Sequence, residues 1–369
     1  MIASTQRRHV ALVILSVLLA CLSACRRSRL ASPVIAEAFL VDTHVKISVF
    51  DADSGETGAR AAVQKCIREM RAAEGRTTAH VDTSDIARVN AAAGRRPVAV
   101  GPETRGLIEK AVEASRLTRG GYDAVLGGLK ILWGFGTDRT AVPDKAELNR
   151  RLRVSGMRQL ELGDGTVFLK NSGASMDLGG LGEGYLIDLA VRSLRGSGVR
   201  SGIVEATGDL AAFGRHPERP YWRIGVKNPR DPEGRLMGVI RLGGEAVSEG
   251  RFVTTLQRLF GVIRLKDEAV ATSGDYERVF IENGKRYCHI IDPRTGFPAA
   301  SGCISVTVVA PAALDADALA TGLFTLHPDT ALAVIESLPH VEGIVMTEAD
   351  GVVRQKVSSG LKNRYDAAE

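Results

Sequence analysis

Ser273-Gly-Asp275-Tyr-Glu-Arg278, then His289-Ile-Ile-Asp292-Pro293-Arg-Thr-Gly296, then a β-rich run from Ile304 to Ala310 that leads into Asp317-Ala-Leu-Ala-Thr321: this stretch decides how the chain is read. Asp317 and Thr321 stand at i and i+4, so on a helix both oxygens share one face. A carboxylate and a hydroxyl there, with no Cys or His beside them, suit a hard cation. A surface Asp and a Thr bonded back to its own helix give the same pattern. His289 falls just before a Pro-Gly turn, where a strand hands over to a loop and a scaffold commonly places a base. A satisfied core histidine fits the same position.

Upstream, Phe39 to Phe50 alternates with period two and reads as a strand. Ala62, Val63, Cys66, Ile67 and Met70 recur at helical spacing, so Glu56 to Ala73 reads as a helix ended by Gly75. Ser84 caps a short helix reaching Asn90, and a second long helix runs from Glu103 to Thr118, stopped by Gly120-Gly121. Tyr122-Asp123 and Trp133-Gly-Phe-Gly136 are core packing or the wall of a pocket that backbone approaches closely. Residues 139–159 are polar with helical hints. Asp177-Leu-Gly-Gly180-Leu-Gly-Glu183-Gly-Tyr185 opens a helix to Leu194 and offers free N–H groups to phosphate. It is neither the dinucleotide fingerprint nor a Walker loop, and the glycines also read as turn residues. Ser201 to Asp209 and Tyr221 to Val226 are strands. After Thr321 come a helix at Thr330–Leu338, a strand at Gly343–Thr347 and a hairpin near Asp350-Gly351. Gly234-Arg-Leu-Met-Gly-Val-Ile-Arg-Leu242 recurs as Gln257-Arg-Leu-Phe-Gly-Val-Ile-Arg-Leu265, and Glu245-Ala-Val247 matches Glu268-Ala-Val270 at the same offset. This is a tandem strand–turn–strand duplication within 234–279, whose second copy alone leads into Ser273.

The 369 residues, 44% hydrophobic and 25% charged, suffice for a full core. A net charge of +5, without a basic stripe carrying aromatics, argues against nucleic acid as a partner. Arg7, Arg8 and His9 precede an apolar run, Val10 to Leu22, too short to span a membrane well and typical of a secretory signal. Leu22-Ser-Ala-Cys25 resembles the bacterial lipobox, which makes Cys25 the lipidated first residue of an exported protein. The expected organisation is a signal at 1–25, a tether at 26–37, one domain at 38–355 and a tail at 356–369. Cys66, Cys288 and Cys303 show no metal-site spacing. Cys66 reads as core; Cys288 and Cys303 flank a hairpin and leave a disulfide open.

Taken in order, these motifs resemble the ApbE family, the FAD:protein FMN transferases. The markers are Ser84 to Asn90, Gly121-Tyr122-Asp123 with Trp133 to Gly136, Asp177 to Tyr185, Thr207-Gly-Asp209, Ser273-Gly-Asp275, His289 to Gly296, and Asp317 to Thr321, spanning about 40 to 350. The resemblance implies an α+β, two-lobed, T-fold-like architecture with FAD in the cleft between lobes. It implies Mg²⁺ on the FAD pyrophosphate, held by Asp317, Thr321 and a main-chain oxygen at Gly180, with His289 as general base near working pH. Asp292 orients that base or ligates nothing. Val41, His80, Asn90, Gly121, Tyr122, Asp123, Asp177, Glu183, Ser273 and Cys288 become flavin-nucleotide contacts, Tyr122-Asp123 on the adenine side. A Thr or Ser of an acceptor flavoprotein then receives FMN and AMP leaves. The implied acceptors are flavin subunits of redox complexes, met by an enzyme that Cys25 anchors facing the periplasm, at the inner membrane. Four sites depart from the family pattern: His80 replaces an aromatic, Val41-Asp42-Thr43 replaces Met-Gly-Thr, Thr207-Gly-Asp209 replaces Gly-Gly-Asp, and Ala124-Val125 follow Asp123 in place of Pro-Thr. Alternatives are a Mg²⁺-dependent FAD pyrophosphatase on the same site, or a lipoprotein that binds flavin without catalysis.

Overall fold

The computed structural model describes residues 29–40, 43–137, 141–230 and 259–367. Eight strands form one sheet: β1 (Arg29–Leu40), β2 (Thr43–Ala52), β3 (Val199–Ala206), β4 (Asp209–Phe213), β5 (Glu268–Gly274), β6 (Cys303–Ala310), β7 (Glu342–Ala349) and β8 (Val352–Val357). They lie side by side in chain order, and every neighbouring pair is antiparallel. An antiparallel pair closes through a short turn. Everything longer between strands is therefore insertion, and the insertions carry the candidate site.

Period-two alternation sorts the strands' side chains between two layers. Val45, Ile47 and Val49 of β2 pack on the helices α1 (Gly55–Thr77) and α2 (Asp85–Ala91). In the same cluster are α3 (Pro102–Leu117) and α6 (Gly182–Gly196). The shorter α4 (Gly127–Trp133) and α5 (Lys145–Arg153) lie between them in sequence. Val306 and Val308 of β6 meet α7 (Ala313–Phe324) and α8 (Pro328–Ser337). The opposite face, with Val270, Val309 and Ile344, is covered by a three-stranded sheet of Trp222–Lys227, Leu259–Leu265 and Tyr365–Ala367.

The helix that positions the site is α7, apolar on all sides and nearly wholly buried. It has no side-chain cap of its own. Asp188 of α6 supplies one, its two oxygens accepting from the N–H groups of Ala313 (2.8 Å) and Leu314 (3.0 Å). In return Asp317 Oδ2 accepts from the first-turn N–H of Gly184 in α6 at 3.1 Å. Each helix thus satisfies donors of the other. The contact is close enough that a Cβ on Gly184 would sit 2.3 Å from the Ala313 carbonyl oxygen. Gly184→Ala is therefore expected to cost about 1–3 kcal/mol, read as a lower urea midpoint with an unchanged slope.

Several expectations change. The Phe39–Phe50 strand is the end of β1 and most of β2, and Leu40 pairs with Thr43. The expected tether is largely strand from Arg29 onward, because its alternating residues pair along β2. The tail is also built in: Tyr365–Ala367 completes the small sheet and Tyr365 is 9% exposed. Helix α1 continues through Gly75 to Thr77, since packing outweighs one glycine. Of the duplication, Leu259–Leu265 and β5 are described; the first copy, Val41 and the Val10–Cys25 signal lie outside the described residues. Among the described residues no helix is long and apolar enough to cross a membrane.

Candidate active site

The N-terminal loop of α6, the end of β5 and the middle of α7 meet at one corner. Gly180 adopts φ +79° there, a left-handed turn that favours glycine. It lies against Thr321 so closely that a Cβ would be 2.7 Å from Thr321 Oγ1. Ser273, at the end of β5, shares a 3.3 Å hydrogen bond with that hydroxyl. One turn earlier on α7, Asp317 is 6% exposed and reaches Gly184. Asp317, Thr321, Ser273 and Gly180 are thus brought together as the sequence predicts.

Negative charge accumulates here. Burial pushes Asp317 up to about 6. Burial and the neighbouring Asp317 carboxylate push Glu183 up to about 8. Asp209, fully buried at the start of β4, is held well above its ordinary value by burial, Asp317 and Glu183, although it accepts the Thr272 N–H at 2.9 Å. Carboxylates crowded this way favour a bound cation. Among the described residues no three His, Cys, Asp or Glu side chains gather as a metal site. The donors that fit a hard ion are one carboxylate, Asp317, the Thr321 hydroxyl and main-chain oxygen of the Gly180 turn, all oxygen ligands as Mg²⁺ prefers.

Lys130 on α4 is the positive counterpart. Its ammonium lies 2.8 Å from Asp177 Oδ1, which also accepts the Gly179 N–H at 2.7 Å. Burial alone would raise Asp177, but Lys130 and that amide outweigh it and hold the carboxyl below its usual range. The same lysine acts on Asp317 and on His289. Sequence reasoning passed over it. The signal was present: Lys130 is the only charged residue between Asp123 and Asp138. Arg278, in the left-handed region at φ +42°, was also missed; it acts on both Glu183 and His289.

His289 directly follows the hairpin of Val279–Glu282 and Lys285–Cys288. Its Nδ1 lies 3.0 Å from the Glu277 carbonyl oxygen, which can only accept. The proton therefore sits on Nδ1, and Nε2 keeps its lone pair. Burial lowers the imidazole to about 4, and Arg278 and Lys130 add to the fall. The unshifted histidine expected from sequence is corrected: this one is neutral at pH 7. Nor does Asp292 orient it. Asp292 pairs with Arg294 through two 2.8 Å contacts.

Other predicted contacts turn out to hold the scaffold. Asn90 clamps the main chain of Met176 from both sides, at 2.8 and 2.7 Å. Asp123 accepts from Val125 N (2.7 Å) and Met157 N (2.8 Å), so its oxygens are occupied. Gly121 packs on the Gly322 carbonyl of α7. Tyr122 is 1% exposed and presents no ring face to a ligand; its buried hydroxyl has no partner among the described residues. Trp133 donates to the Gly296 carbonyl at 2.8 Å and packs with Phe135, Phe280, Tyr287 and Phe297, fixing the hairpin and the 292–296 turn that flank His289. His80 is exposed, within electrostatic reach of Asp177. Cys288 and Cys303 are both buried free thiols facing the carbonyls of Ile290 and Leu326, so no disulfide joins them.

The chain is similar to known proteins in sequence and in fold. The family model described as "ApbE family" matches residues 41–345. A curated FAD:protein FMN transferase of Treponema pallidum is 32% identical over 319 residues, covering 82% of this chain and 81% of the relative. The transferase of the same name from Vibrio cholerae is 29% identical over 281 residues, covering 76% and 77%. Among solved structures, the flavin transferase ApbE from Vibrio cholerae has a TM-score of 0.75 at 26% identity, covering 90% of this chain and 99% of that one. The ApbE protein from Thermotoga maritima gives 0.75 at 29% identity with the same coverage. With more than two thirds of its length under the family model and solved members matching its fold over 90% of the chain, this chain belongs to the ApbE family.

Proposed function

We propose that this protein transfers FMN from FAD to a threonine or serine hydroxyl of an acceptor flavoprotein, with AMP as leaving group and Mg²⁺ as resident ion. The relatives' shared name supports the transferase activity. The observation that carries the mechanism is the convergence of Asp317, Thr321 and Gly180 on one corner, with His289 presenting an unprotonated Nε2 and Lys130 acting on both.

Asp317, the Thr321 hydroxyl and the Gly180 main-chain oxygen would hold the ion, which would supply positive charge against the pyrophosphate. Ser273 holds the Thr321 hydroxyl in place. The first-turn N–H groups of α6 and the Lys130 ammonium supply further fixed positive ends for phosphate oxygens. A hydroxyl is a weak nucleophile until its proton has somewhere to go. His289 Nε2 takes that proton while the acceptor oxygen bonds to the FMN phosphorus and the bridging P–O bond to AMP breaks. A phosphate anion beside the imidazole favours its protonated form and so raises its basicity above that of the free site. We further propose export and lipid anchoring through Cys25, which places the site before periplasmic flavin subunits of redox complexes.

The test is incubation with FAD, Mg²⁺ and a peptide bearing one Thr, read by mass spectrometry. Gain of one FMN on the peptide, absent without Mg²⁺, is the expected result. Free FMN with no labelled peptide would mean hydrolysis, and unchanged FAD would mean binding without chemistry.

A further inference from the structure

Two adjoining hollows of about 540 and 580 Å³ lie along the C-terminal half of α3, sharing Ser115, Gly120 and Met157. One of them reaches the 121–125 segment, which also touches Asp177. Asp123 lines one hollow, while Ala124 accepts the Asp177 N–H at 2.8 Å. The far wall is Pro293-Arg294, in the turn that follows His289. Arg116, Arg119, Arg153 and Arg158 stand around the rim, all exposed, one pair from the end of α3 and the other from residues 153–158. Sequence shows no such stripe, because these residues come together only in the fold.

The local carboxylates are occupied by other groups. Glu147 pairs with Arg150 and Arg151, Asp292 with Arg294, and Asp123 with main-chain N–H groups. Among the described residues, no carboxylate is within ion-pair distance of Arg116, Arg119 or Arg153, while Arg158 donates to the Leu152 and Arg153 carbonyls and acts electrostatically on Asp123. The first hollow, beside Arg116 and Arg119, has an apolar floor of Met157, Leu160, Leu162 and Val112, the last 40% exposed, while the second mixes Leu152, Met157 and Pro293 with Asp123 and Asn149. Guanidinium groups on the rim of an apolar floor suit a chain that alternates acidic and apolar side chains. A polyanion without apolar groups would leave that floor wet.

We infer that this groove docks an acidic, partly apolar segment of the acceptor protein, holding it beside the turn that follows His289. The inference rests on the proposed transfer reaction, since it assigns a second contact for the same acceptor. Most of the attraction between exposed charges is long-range, so it acts on acceptor capture and leaves the chemical step alone.

The experiment uses the full chain and two labelled peptides, one with a single Thr, the other with the same Thr and an added six-residue Asp/Glu/Leu extension. Fluorescence anisotropy measures binding directly, so the outcome does not depend on turnover. The extension is expected to tighten binding by about tenfold or more at low salt, and that gain should disappear at about 0.5 M salt. It should also disappear in Arg119→Glu/Arg153→Glu, with the melting temperature unchanged. With FAD and Mg²⁺ present, KM for the extended peptide rises in the double variant while turnover of the short peptide is unaffected. Loss of FMN transfer with the binding preference intact would count against the reaction alone. Equal binding of both peptides, a preference surviving the double reversal, or equal binding of inorganic polyphosphate would overturn the groove.

Discussion

Asp317→Ala is expected to lower FMN transfer by about a thousandfold or more, the scale of losing an ion that balances charge in the transition state. The argument is geometric and electrostatic. Asp317 is the only carboxylate on α7 that faces the Gly180–Gly184 loop together with Thr321. Without it the hydroxyl and main-chain oxygens that remain carry no charge. Stability should move the other way or not at all. Asp317 crowds Glu183 and Asp209, and its removal relieves that repulsion at neutral pH. The Gly184 amide loses one acceptor, a smaller and opposing effect. Transfer kinetics alongside urea unfolding separate the two. An Asp317→Ala protein that keeps transfer within tenfold of the parent, at unchanged Mg²⁺ dependence, would remove the proposed metal corner.

His289→Ala should cost about a hundred- to ten-thousandfold in transfer while FAD binding stays close to that of the parent. The pH dependence gives a second reading. A base works only when unprotonated, and burial holds this imidazole near 4. Its protonation should therefore cause no loss of kcat/KM for FAD, which reports the free enzyme, between pH 7 and 5; any acid limb it causes there lies lower. Stability follows the linkage sign. The folded pKa lies below the unfolded value near 6.5, so the unfolded chain binds the proton first as pH falls. The folded state should lose about 3 kcal/mol from this group across pH 6.5 to 4. In His289→Ala that component of the pH dependence vanishes. Glu183 runs opposite: its folded pKa is raised, so its contribution falls as pH rises toward about 8. Unfolding of the parent, of His289→Ala and of Glu183→Gln, measured from pH 4 to 8, distinguishes them. Transfer that survives His289→Ala would assign the base to another residue.

Much of this was legible before any coordinates. The pair Asp317 and Thr321 needed only a helical repeat to share a face, and the fold supplies that helix. The glycines of 179–184 turn up where backbone approaches Thr321 and Ala313 most closely. Other residues looked alike in sequence and were sorted only by contact. Asn90 and Asp123 read as ligand contacts because polar residues in loops do; here their oxygens and amide serve the main chain of Met176, Val125 and Met157. Lys130 read as nothing, since a single lysine in an apolar run carries no spacing to interpret.

Periodicity and turn chemistry alone determined several of the strands, the α7 face and the position of a histidine where a strand hands over to a loop, because those depend on neighbours a few residues apart. The sequence order of the strands also became their order in the sheet. What only the tertiary structure decided are the charges that meet across long separations: Lys130 against Asp177, Glu183 against Asp317, and burial around His289. Protonation depends on the dielectric and the charges within a few ångströms, and those neighbours come from segments the chain keeps far apart until it folds.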